Sequence, residues 1–233
     1  MNVTISFWDR AARTFEQQEA RYPHLHARLI ENTCKYLSPT DLTLDFGCAT
    51  GIKTLGLAGH VRTIQGIDIS PKMIAAARQN AEKQKIGNAR FLQATLFDPQ
   101  FEPGSFDVIL AFGVLHLLND LTQALHQINH LLKPGGWFIS STACMGQDTP
   151  VLNWINRLIS IPAQIGLLPP LRFLKIPELE TAMRRHGFAI TEAETIPFNP
   201  ADGQTAIVAR FVAAQKPIAI LASRLASQSP PEP

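Results

Sequence analysis

The sequence has few charged residues, and the two signs nearly balance. Asp, Glu, Lys and Arg make up 17% of the 233 residues, against about 25% in a typical globular chain. Hydrophobic residues make up 45%, which excludes wholesale disorder. The 21 basic and 19 acidic residues leave a net charge of +2, and no cluster of Lys and Arg has the length of a nucleic-acid-binding patch. We therefore expect a folded core and no nucleic-acid partner.

Cysteines are also scarce. Cys34, Cys48 and Cys144 cannot all pair, and none belongs to a C-x-x-C spacing. This usage is typical of a reduced, cytoplasmic chain. Charged residues interrupt the first fifteen positions, where a signal peptide would need an apolar run.

Long uninterrupted apolar runs are missing as well. The segment 151–171 has Arg157 as its one charge, but Pro162, Pro169 and Pro170 break it. A membrane-spanning helix needs about 20 continuous apolar residues. We therefore expect no transmembrane segment, and at most a weak peripheral contact with a membrane.

Short apolar runs alternate with amphipathic helical patterns along most of the chain. The runs 42–46, 61–69, 89–93, 106–112 and 136–142 predict strands. Helical patterns between them predict crossovers and a parallel sheet covered on both faces. Two later runs, 188–196 and 205–213, are joined by a loop too short for a crossover helix, so the last strand should be antiparallel.

The remaining segments complete a single predicted domain over residues 1–216. Two helices are expected over 7–36, divided at Pro23, which suits the first turn of a helix. Residues 217–233 should form a short helix and a frayed tail.

A glycine-containing loop, LDFGCATG at 44–51, stands at the first strand-to-helix turn. Small residues at 47, 49 and 51 let the backbone bend tightly and approach a ligand. The following helix points its first amide groups into the crevice beyond the strand. Asp68, at the end of the second strand, can accept both hydroxyls of a ribose. Asp45 would place a negative charge against a cationic group of the ligand.

The loop differs from the dinucleotide fingerprint G-x-G-x-x-G. Ala49 and Ile52 stand where that pattern needs glycine. The loop therefore favours a nucleoside without phosphates, and an NAD(P)-dependent oxidoreductase is the alternative.

Four motifs resemble those of the class I S-adenosylmethionine-dependent methyltransferases, in order and in spacing. They are LDFGCATG at 44–51, GIDISPKM at 66–73, FDVILAFGVLHLL at 106–118 and LLKPGGWFIS at 131–140. The resemblance covers residues 7–213 and implies a Rossmann-like sheet of seven strands, mostly parallel with the last antiparallel. It implies methyl transfer from S-adenosyl-L-methionine to a small molecule. A non-catalytic S-adenosylmethionine-binding regulatory module is a further alternative.

The resemblance also implies a set of cofactor-binding residues. The loop would surround the methionine part, Asp68 would hold the ribose, and Ile69 and Met73 would pack on the adenine. Where family members usually have an acid for the adenine amino group, this chain has Thr95, followed by Leu96. The whole expected set is Asp45, Gly47, Cys48, Ala49, Gly51, Asp68, Ile69, Met73, Thr95, Leu96 and Ala111.

His116 follows the fourth strand at the crevice and is either a base or a structural histidine. Methyl transfer depends chiefly on alignment, so a base helps only where the acceptor carries a proton near neutral pH. His126 and His130 lack the glutamate of a zinc motif and lie opposite the apolar stripe of their helix, so we expect no metal site.

Two segments are candidates for covering the crevice. The N-terminal helices (1–38) should lie over the site, and the apolar insertion 144–176 is either a helical lid or an extra core helix. A lid of this composition would bind a small, apolar acceptor. We expect a monomer or a homodimer.

Overall fold

The computed structural model describes residues 3–145, 171–172, 174–198 and 207–218. Within them, one sheet of eight strands forms the centre. The strands are β1 (Leu42–Phe46), β2 (Thr63–Asp68), β3 (Ala89–Gln93), β4 (Phe106–Phe112), β5 (Leu132–Met145), β6 (Leu174–Lys175), β7 (Ala189–Pro197) and β8 (Ile207–Gln215).

The strand order confirms the predicted sheet. It is β3-β2-β1-β4-β5-β8-β7, with the short β6 paired to the end of β5. Strands β1 to β6 pair in parallel, whereas β8 is antiparallel to both of its neighbours, β5 and β7. The sequence did not predict β6, because two residues give no periodicity.

Seven α-helices of the described residues surround the sheet. They are α1 (Val3–Ala11), α2 (Phe15–Glu19), α3 (Pro23–Cys34), α4 (Ile52–Leu57), α5 (Pro71–Gln84), α6 (Leu121–Leu131) and α7 (Ile176–Arg185). Among these helices, none is long and apolar enough to cross a membrane.

The N-terminal segment differs from its prediction. Pro23 begins α3 as expected, but the single helix predicted before it is divided into α1 and α2 by a turn at residues 12–14. The turn lets α1 pack on α5 while α2 reaches the start of α4. Tertiary docking therefore overrides the continuous helical pattern of the sequence.

Strand β4 shows how the sheet separates two apolar layers. Ile109 and Ala111 are buried on the face that carries α6 and α7. Val108, Leu110 and Phe112 face the opposite layer, which includes α3. This alternation follows from the two-residue period of a strand. The carboxyl ends of the parallel strands are left to meet at one edge of the sheet, where loops form the site.

Two predicted segments lie largely outside the described residues. Of the insertion expected over 144–176, residues 146–170 and 173 are not described, and of the tail expected after 216, residues 219–233 are not described. What is described of the insertion lies beside the site. β6 pairs with the end of β5, and the Arg172 amide donates a hydrogen bond of 2.8 Å to the carbonyl oxygen of His116.

Candidate active site

A cavity of about 520 Å³ opens at the carboxyl ends of the parallel strands. Asp45 and Phe46 of β1, Asp68 of β2, and Ser141 and Ala143 of β5 contribute to its wall. The volume lies within the range of about 300–1,000 Å³ that is usual for small-molecule sites. Its position is the one expected for a ligand of an α/β sheet.

The loop between β1 and α4 forms one side of the cavity. Gly47, Ala49 and Gly51 have φ values of 74°, 48° and 78°, in the left-handed region that glycine tolerates best. The amides of Gly47 and Cys48 donate to the carbonyl oxygen of Ile67, at 2.8 and 3.0 Å. A Cβ atom at Gly47 would lie 2.8 Å from the Val114 side chain. The loop is therefore held closely against β2 and the segment after β4.

Asp68 lies at the end of β2, with its carboxylate held by backbone amides. Ala49 N donates to Oδ2 at 3.2 Å, and Ser70 N donates to Oδ1 at 2.8 Å. Burial raises the pKa of Asp68, and these two hydrogen bonds oppose that effect. A carboxylate has about four acceptor positions, so each oxygen keeps one for a ligand in the cavity. This geometry fits two neighbouring ribose hydroxyls.

Asp45 supplies a second carboxylate, which is only 2% exposed. Its Oδ2 accepts a hydrogen bond of 2.5 Å from the Thr54 hydroxyl. Burial raises the pKa of Asp45 to about 6. The charge of Lys53 opposes this effect only in part, and a buried carboxylate is costly, so a positively charged ligand group in the cavity would stabilise its ionised form. The ammonium group of a methionine moiety fits this requirement.

Ile69, Met73, Thr95 and Leu96 also line the cavity. The Thr95 hydroxyl oxygen accepts a hydrogen bond from the Phe97 amide at 3.2 Å. One lone pair and the hydroxyl proton of Thr95 are therefore left for a ligand. Phe97 also lines the cavity and is 49% exposed, a position that the sequence analysis did not single out.

Ten of the predicted site residues line this one cavity. They are Asp45, Gly47, Cys48, Ala49, Asp68, Ile69, Met73, Thr95, Leu96 and His116.

The other two predicted site residues, Gly51 and Ala111, do not belong to the lining of this cavity. Gly51 precedes α4, and a Cβ atom there would lie 2.8 Å from the Phe91 ring, so it serves the turn. Ala111 is fully buried in the core, in the layer that carries α6 and α7. Its neighbours Phe112 and Gly113 line the cavity.

His116 lies in a 3-10 turn, Leu115–Leu117, after β4. Its Nδ1 atom is buried and has no hydrogen-bond partner among the described residues. Burial lowers the pKa of His116 to about 4, so the imidazole is neutral at pH 7. A neutral, unpartnered imidazole at a cavity wall can accept a proton or a hydrogen bond from a ligand.

A further part of the cavity lining is apolar and comes from elements distant in sequence. Its side chains are those of Leu25, Leu29, Phe112, Ala143, Phe198 and Ala209. Ser141 adds one hydroxyl, which makes no hydrogen bond within the described residues. The sequence analysis missed this set because its members converge only when α3, β4, β5 and the strands after them pack together.

The N-terminal helices also reach the cavity. Trp8 of α1, and Phe15 and Glu19 of α2, line it. Glu19 contacts Lys53, which lines the cavity from the start of α4. Neither residue of this pair belongs to a recognisable motif, so no signal in the sequence identified it.

Comparison with known proteins identifies the class of protein to which this fold and site belong. Residues 37–163, more than half of the chain, match a family model described as a methyltransferase domain. The chain belongs to the class I S-adenosylmethionine-dependent methyltransferases. It is a methyltransferase, and S-adenosyl-L-methionine, not a nicotinamide dinucleotide, is its cofactor.

Two relatives and one solved structure illustrate the similarity. The ubiquinone biosynthesis O-methyltransferase of Thiobacillus denitrificans is 28% identical over 163 residues, 67% of this chain and 68% of that protein. An O-methyltransferase of Penicillium expansum is 31% identical over 202 residues, 83% of this chain and 67% of that protein. The geranyl diphosphate C-methyltransferase from Streptomyces coelicolor A3(2) superimposes with a TM-score of 0.66 at 16% identity, covering 83% of this chain and 80% of that one. The last similarity concerns the fold alone.

Proposed function

We propose that this methyltransferase methylates a hydroxyl group of a small, largely apolar acceptor, with His116 as the group that takes the proton. The observation that carries this proposal is the neutral imidazole of His116, with its unpartnered Nδ1 atom, in a cavity that is otherwise lined largely by apolar side chains. The names of two relatives, both O-methyltransferases, support a hydroxyl acceptor.

The proposed chemistry asks little of the protein beyond alignment. The bound cofactor supplies a methyl group already activated on a sulfonium sulfur. The acceptor oxygen would take this methyl group in exchange for the carbon–sulfur bond, whose electron pair would remain on sulfur. The hydroxyl proton would pass to a nitrogen of His116. A weak base suffices because this proton becomes acidic as the oxygen–carbon bond forms.

The chain would hold the two reactants in separate parts of the cavity. We assign Asp45 and the loop 47–49 to the methionine part of the cofactor, and Asp68 to the ribose. The adenine would bind against the cavity-lining residues Ile69, Met73, Thr95 and Leu96. The apolar side chains around His116 would bind the acceptor by burying its surface, at about 25 cal/mol per Å². Holding both groups in line can lower the barrier by about 7–11 kcal/mol.

The N-terminal helices would exclude water from the reaction. Trp8, Phe15 and Leu25 belong to this segment and line the cavity, so we propose that residues 1–38 cover the site as part of a single domain over 1–216.

Cys34, Cys48 and Cys144 are free thiols, which supports a reducing compartment such as the cytoplasm.

The acceptor class can be tested with a matched panel. Phenols and alcohols of similar apolar area would be incubated with S-adenosylmethionine, beside the corresponding amines, thiols and methyl ethers, and products would be detected by mass spectrometry. Methylation of hydroxyl compounds, increasing with their apolar area, is the expected result. Turnover of the amines or thiols alone, or of polar hydroxyl compounds in preference to apolar ones, would contradict the proposal.

A further inference from the structure

A lysine lies in the wall of a cavity that binds a positively charged cofactor. Among the described residues, the acidic side chains that line the cavity are Glu19, Asp45, Asp68 and Asp120, and Lys53 is the one ammonium group. The Lys53 side chain is only 18% exposed, so solvent screens its charge poorly. Left alone, this charge would oppose the sulfonium and ammonium groups of S-adenosylmethionine.

Glu19 of α2 forms an ion pair with Lys53. Its Oε2 atom accepts hydrogen bonds from Lys53 Nζ and from His26 Nε2, the latter at 2.6 Å. Burial alone would raise the pKa of Glu19, but the hydrogen bond from His26 and the charge of Lys53 outweigh burial and hold that pKa at about 2. Glu19 is therefore ionised at neutral pH.

Asp45 is the group for which Lys53 and the cofactor compete. Lys53 is near enough for its charge to lower the pKa of Asp45, against the larger effect of burial. Without Glu19, Lys53 would be drawn to this buried carboxylate, the remaining strong acceptor close to it. The ammonium group of the cofactor would then meet a neutralised Asp45.

We propose that Glu19 is a positioning residue that directs Lys53 away from Asp45 and cancels its charge. This inference rests on the proposed placement of the cofactor at Asp45. The proposal gives α2 a role beyond covering the cavity. The helix has to pack against the start of α4 for Glu19 to pair with Lys53, and only then does the site favour a cation. Docking of α2 and binding of the cofactor are then thermodynamically linked, each favouring the other.

The charge of the ligand separates this role from a purely structural one. S-adenosylmethionine carries a sulfonium charge, whereas S-adenosylhomocysteine has a neutral sulfur and is otherwise alike. We expect Glu19→Gln to weaken binding of S-adenosylmethionine about tenfold, the scale of one unscreened charge at moderate distance. Binding of S-adenosylhomocysteine should also weaken, by a smaller factor, because it shares the ammonium group that Asp45 would bind but lacks the sulfonium charge that Lys53 repels. Both constants can be measured by calorimetric titration, independently of turnover.

A double variant and a matched control complete the experiment. In Glu19→Gln/Lys53→Gln both charges are gone, so affinity for S-adenosylmethionine should return to within about twofold of the parent protein. Glu16→Gln makes the same charge change on the same helix. Glu16 pairs with Asn80 through a bond that glutamine can still accept, at 2.7 Å, and this variant should bind both ligands normally.

Several results would overturn the proposal. One is an equal loss of affinity for both ligands in Glu19→Gln that is not restored when Lys53→Gln is added. The other is unchanged affinity for both ligands in Glu19→Gln. If Glu19→Gln does not fold, Lys53→Gln alone decides: it should hold S-adenosylmethionine at least as tightly as the parent, and a loss of affinity would refute the idea. Failure of the cofactor placement itself would look different, since Asp45→Asn would then leave binding of both ligands intact.

Discussion

Asp9 of α1 and Ser70 at the start of α5 are joined by a hydrogen bond of 2.6 Å, although 61 residues separate them in the sequence. The same Ser70 hydroxyl caps α5 by accepting from Met73 N, at 3.1 Å. The Ser70 amide donates to Asp68. One residue therefore connects the N-terminal helix to the carboxylate that we assign to the ribose.

Removing this connection should loosen α1. In Asp9→Ala the cap of α5 remains, but α1 loses the hydrogen bonds that Asp9 accepts from the buried Ser70 hydroxyl and from the Lys72 amide, each worth about 1 kcal/mol. We expect faster trypsin cleavage at Arg10 and Arg13, and protection by S-adenosylhomocysteine. Asp9→Asn keeps an acceptor for Ser70 and should resist cleavage as the parent does. Equal cleavage of Asp9→Ala and the parent would mean that other contacts hold α1.

Asp45 should make cofactor binding depend on pH. Its pKa is about 6 without ligand, and a cationic ligand binds the ionised form. Affinity for S-adenosylmethionine should be constant above pH 6 and fall by up to about tenfold for each pH unit below it. Calorimetric titration between pH 5 and 8 tests this. Asp45→Asn should bind weakly with little dependence on pH, and a parent protein with equally flat binding would contradict the assignment.

The same residue should lower the stability of the ligand-free protein. The pKa of Asp45 rises from 3.8 to about 6 on folding, so the folded state binds the proton more tightly than the unfolded state. The resulting stabilisation is complete below pH 3.8 and is lost as pH rises through 6. Asp45→Asn can still accept from Thr54 and should gain of the order of 2 kcal/mol at pH 8. Its melting temperature should exceed that of the parent at pH 8 and less so at pH 5.

Asp45 belongs to the part of the site that could be predicted from the sequence. Asp45, the loop after it and Asp68 lie within a few residues of strand ends, and local patterns identify such ends. The parallel sheet then brings them to one edge by topology alone. The convergence of these residues on one cavity could therefore be predicted, whereas Ala111 lies buried in the core.

The pairs Asp9–Ser70 and Glu19–Lys53 could not be predicted in the same way. Each joins two helix ends whose distance depends on how α1 and α2 dock, and polar residues at such positions are typical of any solvated surface. The division between α1 and α2 is itself a tertiary effect. The apolar part of the cavity wall was missed for the same reason, because residues from α3 to β8 form it together.

His116 should affect turnover without affecting cofactor affinity. We expect His116→Ala to reduce kcat with a hydroxyl acceptor by about 10²-fold or more, and to leave binding of S-adenosylhomocysteine within about twofold. Because burial holds its pKa at about 4, kcat of the parent at saturating cofactor should stay level down to about pH 5. Unchanged kcat in His116→Ala and in His116→Gln would identify the residue as structural.

Thr95 should limit the affinity for the adenine ring. Its oxygen already accepts from Phe97 N and offers one remaining lone pair to the adenine amino group. In Thr95→Asp one carboxylate oxygen can keep the Phe97 bond while the other accepts from the ligand, which adds a charge-assisted bond worth about 1–2 kcal/mol. Binding of S-adenosylhomocysteine should tighten by about tenfold, since the site is exposed enough for the carboxylate to stay hydrated. Thr95→Val removes both hydrogen bonds and should weaken the binding of S-adenosylhomocysteine. Unchanged affinity in both variants would mean that the adenine ring lies away from Thr95.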